Sequence, residues 1–175
     1  ELVPMIESFA AQEVRSQGVD HPLIASIEKQ RKDNYDQAHS SSWFINDRQG
    51  LQIARHPFIK DDHIVDTFMG DFSYRDYFHG EEKDREEGAT EGVKPIEAPN
   101  ICAVYISKSS GKMKVAFSVP IWSKPEENTE PEVLGVLSSS FNLGDFEVSG
   151  LPHSEGEQIV LVDMRTDYLE DEAKR

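Results

Sequence analysis

The sequence predicts an α+β fold in which one antiparallel sheet lies beside helices. Three observations support this prediction. Residues 1–39 repeat apolar residues at helical spacing, residues 43–55 are typical of two strands joined by a tight turn, and residues 113–122 alternate apolar with polar residues. At 175 residues, the chain is long enough for one domain with a core of its own.

Residues 1–39 are predicted to form two helical stretches. Pro4 suits a first turn, where its missing N–H is not needed, and Gly18 interrupts the apolar pattern. Asp20 is placed to cap the second stretch, in which Pro22 lies early. We interpret the two stretches either as packed surface helices or as a stalk that carries signals between a membrane and a domain.

The sheet is predicted from segments of alternating or β-branched residues bounded by turn formers. Residues 60–80 should form short helices and loops, and residues 81–99 a polar connection that begins with a solvated acidic run. Pro120 has no N–H, so the end of its strand should be an edge or a bulge. The predicted strands are 43–47, 51–55, 101–107, 113–122, 133–141 and, after a linker, 158–163.

The composition argues against several classes of function. Acidic residues outnumber basic ones by 33 to 18, for a formal net charge of −15, so nucleic acids are poor partners. The single cysteine, Cys102, offers no disulfide or metal pair and should be a buried apolar residue. The phosphate-binding and nucleophile motifs are absent from the sequence, so we predict no catalytic residues, metal or cofactor. The start at Glu1, without Met, is interpreted as that of a soluble fragment.

The stretch 72–80 carries the most functional information. A guanidinium group binds a carboxylate through two parallel hydrogen bonds, and aromatic walls strengthen that pairing by excluding water. Arg75 therefore indicates a site for a small carboxylate. The alternative is that Arg75 pairs with Asp76 or another acid while the aromatic residues fill the core. The aromatic residues around Arg75 are Phe72, Tyr74, Tyr77 and Phe78, followed by His79 and Gly80.

Several segments, taken in order, resemble a Cache domain, the extracytoplasmic PAS-like sensor module of bacterial receptors. More narrowly, they resemble the double-Cache sensor regions of planctomycete membrane-bound serine/threonine kinases. The resemblance covers residues 40–146. It implies a five-stranded antiparallel sheet, a long N-terminal helix that rises from a transmembrane segment, and a ligand pocket between the sheet and a helical insert. The segments that carry it are 43–50, 52–55, 72–80, 114–121 and 133–137.

The resemblance also implies which residues bind the ligand. Amino-acid-binding members use an arginine, an aromatic residue two positions later and a second aromatic residue beside it, matched here by Arg75, Tyr77 and Phe78. The family's tyrosine five positions before the arginine falls on Gly70, and its amine-binding aspartate appears as Ser140. A small carboxylate is therefore a better ligand than an amino acid. The full set of candidate residues is Arg75, Tyr77, Phe78, His79, Tyr74, Tyr105, Ser118 and Ser140.

We therefore expect a ligand-sensing domain on the extracytoplasmic side of the cell membrane, belonging to a membrane-anchored protein kinase and not itself an enzyme. Its partner should be a small organic acid, and a homodimer through the N-terminal helix is a further expectation. The alternative is a dimerisation or protein-interaction module that has the same fold and binds no ligand. The implied division is a stalk at 1–39, the sensor module at 40–146, and a linker with an extra strand at 147–175, the possible start of an incomplete second module.

Overall fold

The computed structural model describes residues 6, 14, 16–33, 42–60, 63–124 and 130–143. Most of the first predicted helical stretch, the predicted strand at 158–163 and the linker before it lie outside the described residues. The division into stalk, sensor module and extra segment therefore stays a prediction, and so does a homodimer through the N-terminal helix.

The described residues alternate between short helices and strands, with a long and mostly irregular insert (residues 57–99) in the middle. The assigned elements, in chain order, are a 3₁₀ turn (Gly18–Asp20), α1 (Pro22–Asp33), β1 (Ser42–Asp47), β2 (Gln52–His56), β3 (Ile59–Lys60), β4 (His63–Ile64), α2 (Asp76–His79), β5 (Asn100–Ile101), β6 (Tyr105–Ile106), β7 (Met113–Trp122) and β8 (Val133–Asn142).

One antiparallel sheet organises the chain, in the order β2-β1-β8-β7-β5, and β6 also pairs with β7. The predicted α+β class and the antiparallel sheet are confirmed, but the predicted number of five strands is wrong, because the sheet formed by the described residues has six. The predicted single strand at 101–107 is wrong, because it is divided into β5 and β6. The break has a physical cause: the N–H of Ala103 donates to the carboxylate of Asp76, at 2.5 Å, instead of to a neighbouring strand.

Helix α1 begins at Pro22, early in the second stretch as predicted. Its predicted cap is wrong, because Nδ1 of His21 accepts the N–H of Leu23 at 3.1 Å while Asp20 lies in the preceding 3₁₀ turn. The helix packs its apolar residues against β1 and β2. Within the described residues, no helix combines the length and the apolar character needed to cross a membrane. The buried side chains of this interface include Leu23, Ile24, Ile27, Ile45 and Ile53.

The two faces of the sheet have different coverings, and β7 shows the difference. Its polar or small residues face the insert and are buried, whereas most of its apolar residues lie on the opposite, more exposed face. The alternation predicted for this strand is present. The buried side chains, however, are those on the face that the insert covers, and most of the apolar side chains lie on the other face. The buried set is Lys114, Ala116 and Ser118, and the exposed set is Met113, Phe117 and Val119.

Gly50 lets the hairpin turn between β1 and β2 contact the insert directly. Its backbone has φ +92°, and a Cβ at this position would lie 2.5 Å from Cβ of Ser73. The carbonyl oxygen of Gly50 accepts the N–H of Phe72 at 2.9 Å and the side-chain amide of Asn46 at 2.8 Å. The insert is therefore attached to the sheet at a point where only glycine fits.

Replacing Gly50 with alanine should lower the free energy of unfolding by about 3 kcal/mol, because the methyl group overlaps Ser73 and the left-handed backbone is also strained. Gly111→Ala is the matched control: φ is +65° and a Cβ would meet nothing within 4 Å. The control should lose only about 1 kcal/mol. Urea denaturation followed by tryptophan fluorescence measures both values. Equal losses would contradict a special role for the contact between Gly50 and Ser73.

Candidate functional site

A β-bulge in β2 turns two polar side chains toward the insert. Arg55 pairs with Phe44 and Gln52 pairs with Asn46, so Ile53 is an extra residue between these two pairs. In a regular strand, residues three apart lie on opposite faces. The bulge instead places Gln52 and Arg55 on the same face, where both are buried.

The predicted run 72–80 folds back onto this face through helix α2. Asp76 is 1% exposed, and its carboxylate accepts the N–H of Ala103 at 2.5 Å and that of Glu82 at 2.8 Å. Gly80 ends the helix in the left-handed conformation. Asp76 therefore joins the insert to the edge of the sheet and also fixes the start of the acidic connection that follows.

Arg75 lies between two aromatic rings, with its guanidinium carbon 5.0 Å from the ring centroids of both Tyr74 and Tyr105. Nη1 donates to Oδ2 of Asp84 at 2.5 Å, and Nη2 donates to the carbonyl oxygen of Ile106 at 3.0 Å. Burial lowers the pKa of Arg75, but the charge and hydrogen bond of Asp84 outweigh it, so the pKa is raised. The pairing of Arg75 with an acid, one of the two interpretations of the sequence, is thus present in the structure.

A small cavity of about 30 Å³ lies between the insert and the sheet, with room for about two water molecules. Four basic residues reach it, and its lining in the described part of the chain contains no acidic residue. Aromatic rings and hydroxyl groups form most of the rest of the lining. The lining residues are Arg55, Arg75, Lys108, Lys114, Ser42, Phe44, Gln52, Thr67, Phe72, Tyr77, Tyr105, Ser107 and Ser109.

Three of the eight predicted ligand-binding residues line this cavity: Arg75, Tyr77 and Tyr105. The other five lie outside its lining. Phe78 is part of the apolar cluster under the insert, and the ring of His79 donates from Nε2 to the carbonyl oxygen of Tyr74 at 3.0 Å. The ligand-binding roles of all eight stay predictions. The five outside the lining are Tyr74, Phe78, His79, Ser118 and Ser140.

Ser118 and Ser140 belong to a row of buried hydroxyl groups on the central strands. Oγ of Ser118 is hydrogen-bonded to Oγ of Ser138 at 2.9 Å, and Oγ of Ser140 to Oγ of Ser42 at 2.7 Å. Ser140 also hydrogen-bonds the hydroxyl of Tyr105. Burial raises the pKa of Tyr105, so its phenol stays protonated at neutral pH. The row thus satisfies its own hydrogen bonds beneath the cavity.

Arg55 is a lining residue that the sequence prediction missed. Nε donates to the carbonyl oxygen of Pro57 at 2.8 Å, and Nη1 donates to the side chains of Gln52 and Thr67. Burial lowers the pKa of Arg55 to about 10, although the nearby Tyr77 and Tyr105 counteract this. A buried arginine at a bulge leaves no signal in the strand's alternation, which is why Arg55 could not be identified from the sequence.

The pair of Arg75 and Asp84 should show a coupling free energy of about 1–2 kcal/mol in a double-mutant cycle of Arg75→Met and Asp84→Asn, because the guanidinium is nearly buried. The matched control is the exposed pair of Arg48 and Glu132, at 3.6 Å, which should show no measurable coupling. Urea denaturation of the wild type, the four single variants and the two double variants gives both values. Coupling as weak as that of the control would mean that Asp84 does not hold Arg75 in solution.

No known protein-family profile matches the sequence, and no curated protein matches it. Among solved structures, the chain is similar to the sensor domain of the V. cholerae histidine kinase DctB, with a TM-score of 0.47 and 14% sequence identity. The match covers 80% of this chain and 45% of the DctB chain, so this chain spans less than half of that length. At this level of similarity, neither a family nor a ligand follows from the comparison.

Proposed function

We propose that this chain is a ligand-sensing domain whose cavity between the sheet and the insert binds a small carboxylate. One observation carries the proposal: a chain with a net charge of −15 collects four basic side chains around one small cavity. Cations are seldom buried unless an anion or a set of acceptors compensates them. The excess of positive charge at this place favours an anionic ligand.

The balance of charge around the cavity leaves a net positive centre. Arg75 is paired with Asp84, and Lys108 is paired with Glu87 at the more exposed rim. Arg55 forms no ion pair with an acidic residue in the described ranges. Among the four cations of the lining, Arg55 is thus a positive charge that a carboxylate can neutralise.

Sensing requires two states that the ligand distinguishes. The cavity has room for only about two water molecules, and we propose that an acid larger than formate displaces part of its wall. The acidic connection after α2 forms part of that wall's support, because Asp84 bridges Arg75 and the N–H of Asp76. Binding of a larger acid would therefore move this connection and change the contacts of the insert with the sheet edge.

The setting of the domain is part of the same proposal. The order of the hairpin, the run 72–80 and the later strands resembles Cache sensor modules, which are extracytoplasmic parts of membrane-bound receptors. We therefore place this domain outside the cytoplasm, in a membrane-anchored parent that carries its signalling output, such as a protein kinase, elsewhere in the chain.

Small carboxylates should raise the melting temperature of the purified chain. The panel is formate, acetate, glycolate and succinate, each compared with its neutral amide and with sodium chloride at equal ionic strength. A genuine ligand at 100 times its Kd should raise the melting temperature by about 5–10 °C. If no acid exceeds its amide, the chain does not sense a carboxylate of this class.

Homodimerisation is the second candidate function, and an exposed apolar patch on the sheet favours it. Phe117 pairs with Ile101, and Met113 pairs with Ile106, so their side chains form one patch on the face opposite the insert. All four are exposed, Ile106 to 65%. A second copy of the chain could cover this patch with its own.

Sedimentation velocity at 10–100 µM, a range of about tenfold, tests this second candidate. A dimer should appear in the wild type and disappear in Phe117→Lys, because a charge on the patch opposes its burial. Lys112→Glu, an exposed substitution in the turn before β7, serves as the control for a change of charge. A wild type that stays monomeric throughout would contradict homodimerisation through this face.

A further inference from the structure

We infer that Arg55, held in place by Gln52 and Thr67, is the residue that binds the carboxylate of the ligand, while Arg75 stays paired with Asp84. This inference rests on the proposed function and names the residue that carries it. The resemblance to Cache domains points instead to Arg75, so the two assignments predict different outcomes for the same variants.

Both terminal nitrogens of the Arg75 guanidinium already donate hydrogen bonds. Nη1 is bonded to Asp84 and Nη2 to the carbonyl oxygen of Ile106. Its faces are covered by the rings of Tyr74 and Tyr105. Nε is buried and has no hydrogen-bond partner among the described residues. A carboxylate that bound Nη1 of Arg75 would have to displace Asp84, which is itself a carboxylate.

The guanidinium of Arg55 is oriented and has one end available. Arg55 is 5% exposed, and Nε and Nη1 are directed by Pro57, Gln52 and Thr67. Oγ1 of Thr67 also donates to Oε1 of Gln52 at 2.9 Å, which fixes the two acceptors relative to each other. Nη2 forms no hydrogen bond with any described residue. This nitrogen is the donor that we assign to the ligand.

The surroundings of Arg55 suit a small carboxylate. The cavity that Arg55 lines also receives the buried Lys114 and the phenol rings of Tyr77 and Tyr105. A carboxylate on Nη2 would neutralise a buried cation and could accept further hydrogen bonds from these groups. Formate is the carboxylate that fits the cavity with the least displacement of its walls, because the volume is only about 30 Å³.

Thermal-shift titration with sodium formate, at constant ionic strength set by sodium chloride, tests this assignment. Arg55→Met should weaken formate affinity at least about tenfold, because a charged hydrogen bond is lost. The double variant Arg75→Met/Asp84→Asn removes the ion pair without a change of net charge and should keep a saturable formate shift. Arg48→Met, on the exposed hairpin turn, controls for the loss of one positive charge.

If Arg55→Met does not fold, Arg55→Lys provides the same test, because it retains the charge but loses Nη2. It should weaken formate affinity about tenfold. A formate shift that survives in both Arg55 variants, or that disappears only in the double variant, overturns the assignment and leaves the proposed function standing. If neither formate nor any acid of the panel shifts the wild type, the proposed function fails and this assignment fails with it.

Discussion

A guanidinium group can be buried only where acceptors or a counter-charge surround it, and this requirement organises the insert side of the sheet. Arg75 meets this requirement by pairing with Asp84 of the acidic connection. Asp84 then reaches back to the N–H of Asp76, which brings the connection over helix α2. The path of the insert thus follows from an electrostatic need and not from apolar burial alone.

Asp76 connects this part of the insert to the sheet. Its carboxylate accepts the N–H of Ala103, 27 residues further along the chain, and so interrupts the edge of the sheet between β5 and β6. The sequence of 101–107 carries the signature of an uninterrupted strand. Local propensity could not reveal the break, because its cause is a buried carboxylate that lies far away in sequence. The long strands β7 and β8 were predictable because they pair with neighbours along most of their length.

Part of the candidate site was also predictable from the sequence. The chemistry of an arginine among aromatic residues is visible in the run 72–80, and the structure does bring Arg75 and Tyr77 to the cavity. Tyr77 and Phe78 both belong to the apolar cluster under the insert, but only Tyr77 also lines the cavity, because adjacent residues of helix α2 point in different directions. Arg55 escaped prediction because an extra residue at Ile53 changes the face to which it points. A bulge of this kind depends on pairing between strands, which sequence alternation does not record.

The row of serines on the central strands has a consequence for how such a domain could change over time. Ser42, Ser118, Ser138 and Ser140 are small, and their hydroxyl groups satisfy one another in pairs. Ser42 also lines the cavity, so exchanging it for alanine or threonine would enlarge or fill part of the cavity while the backbone pairing beneath it stayed intact. Ligand range could therefore diverge between descendants of one scaffold by single, small steps in side-chain volume, without rebuilding the walls that carry the charge.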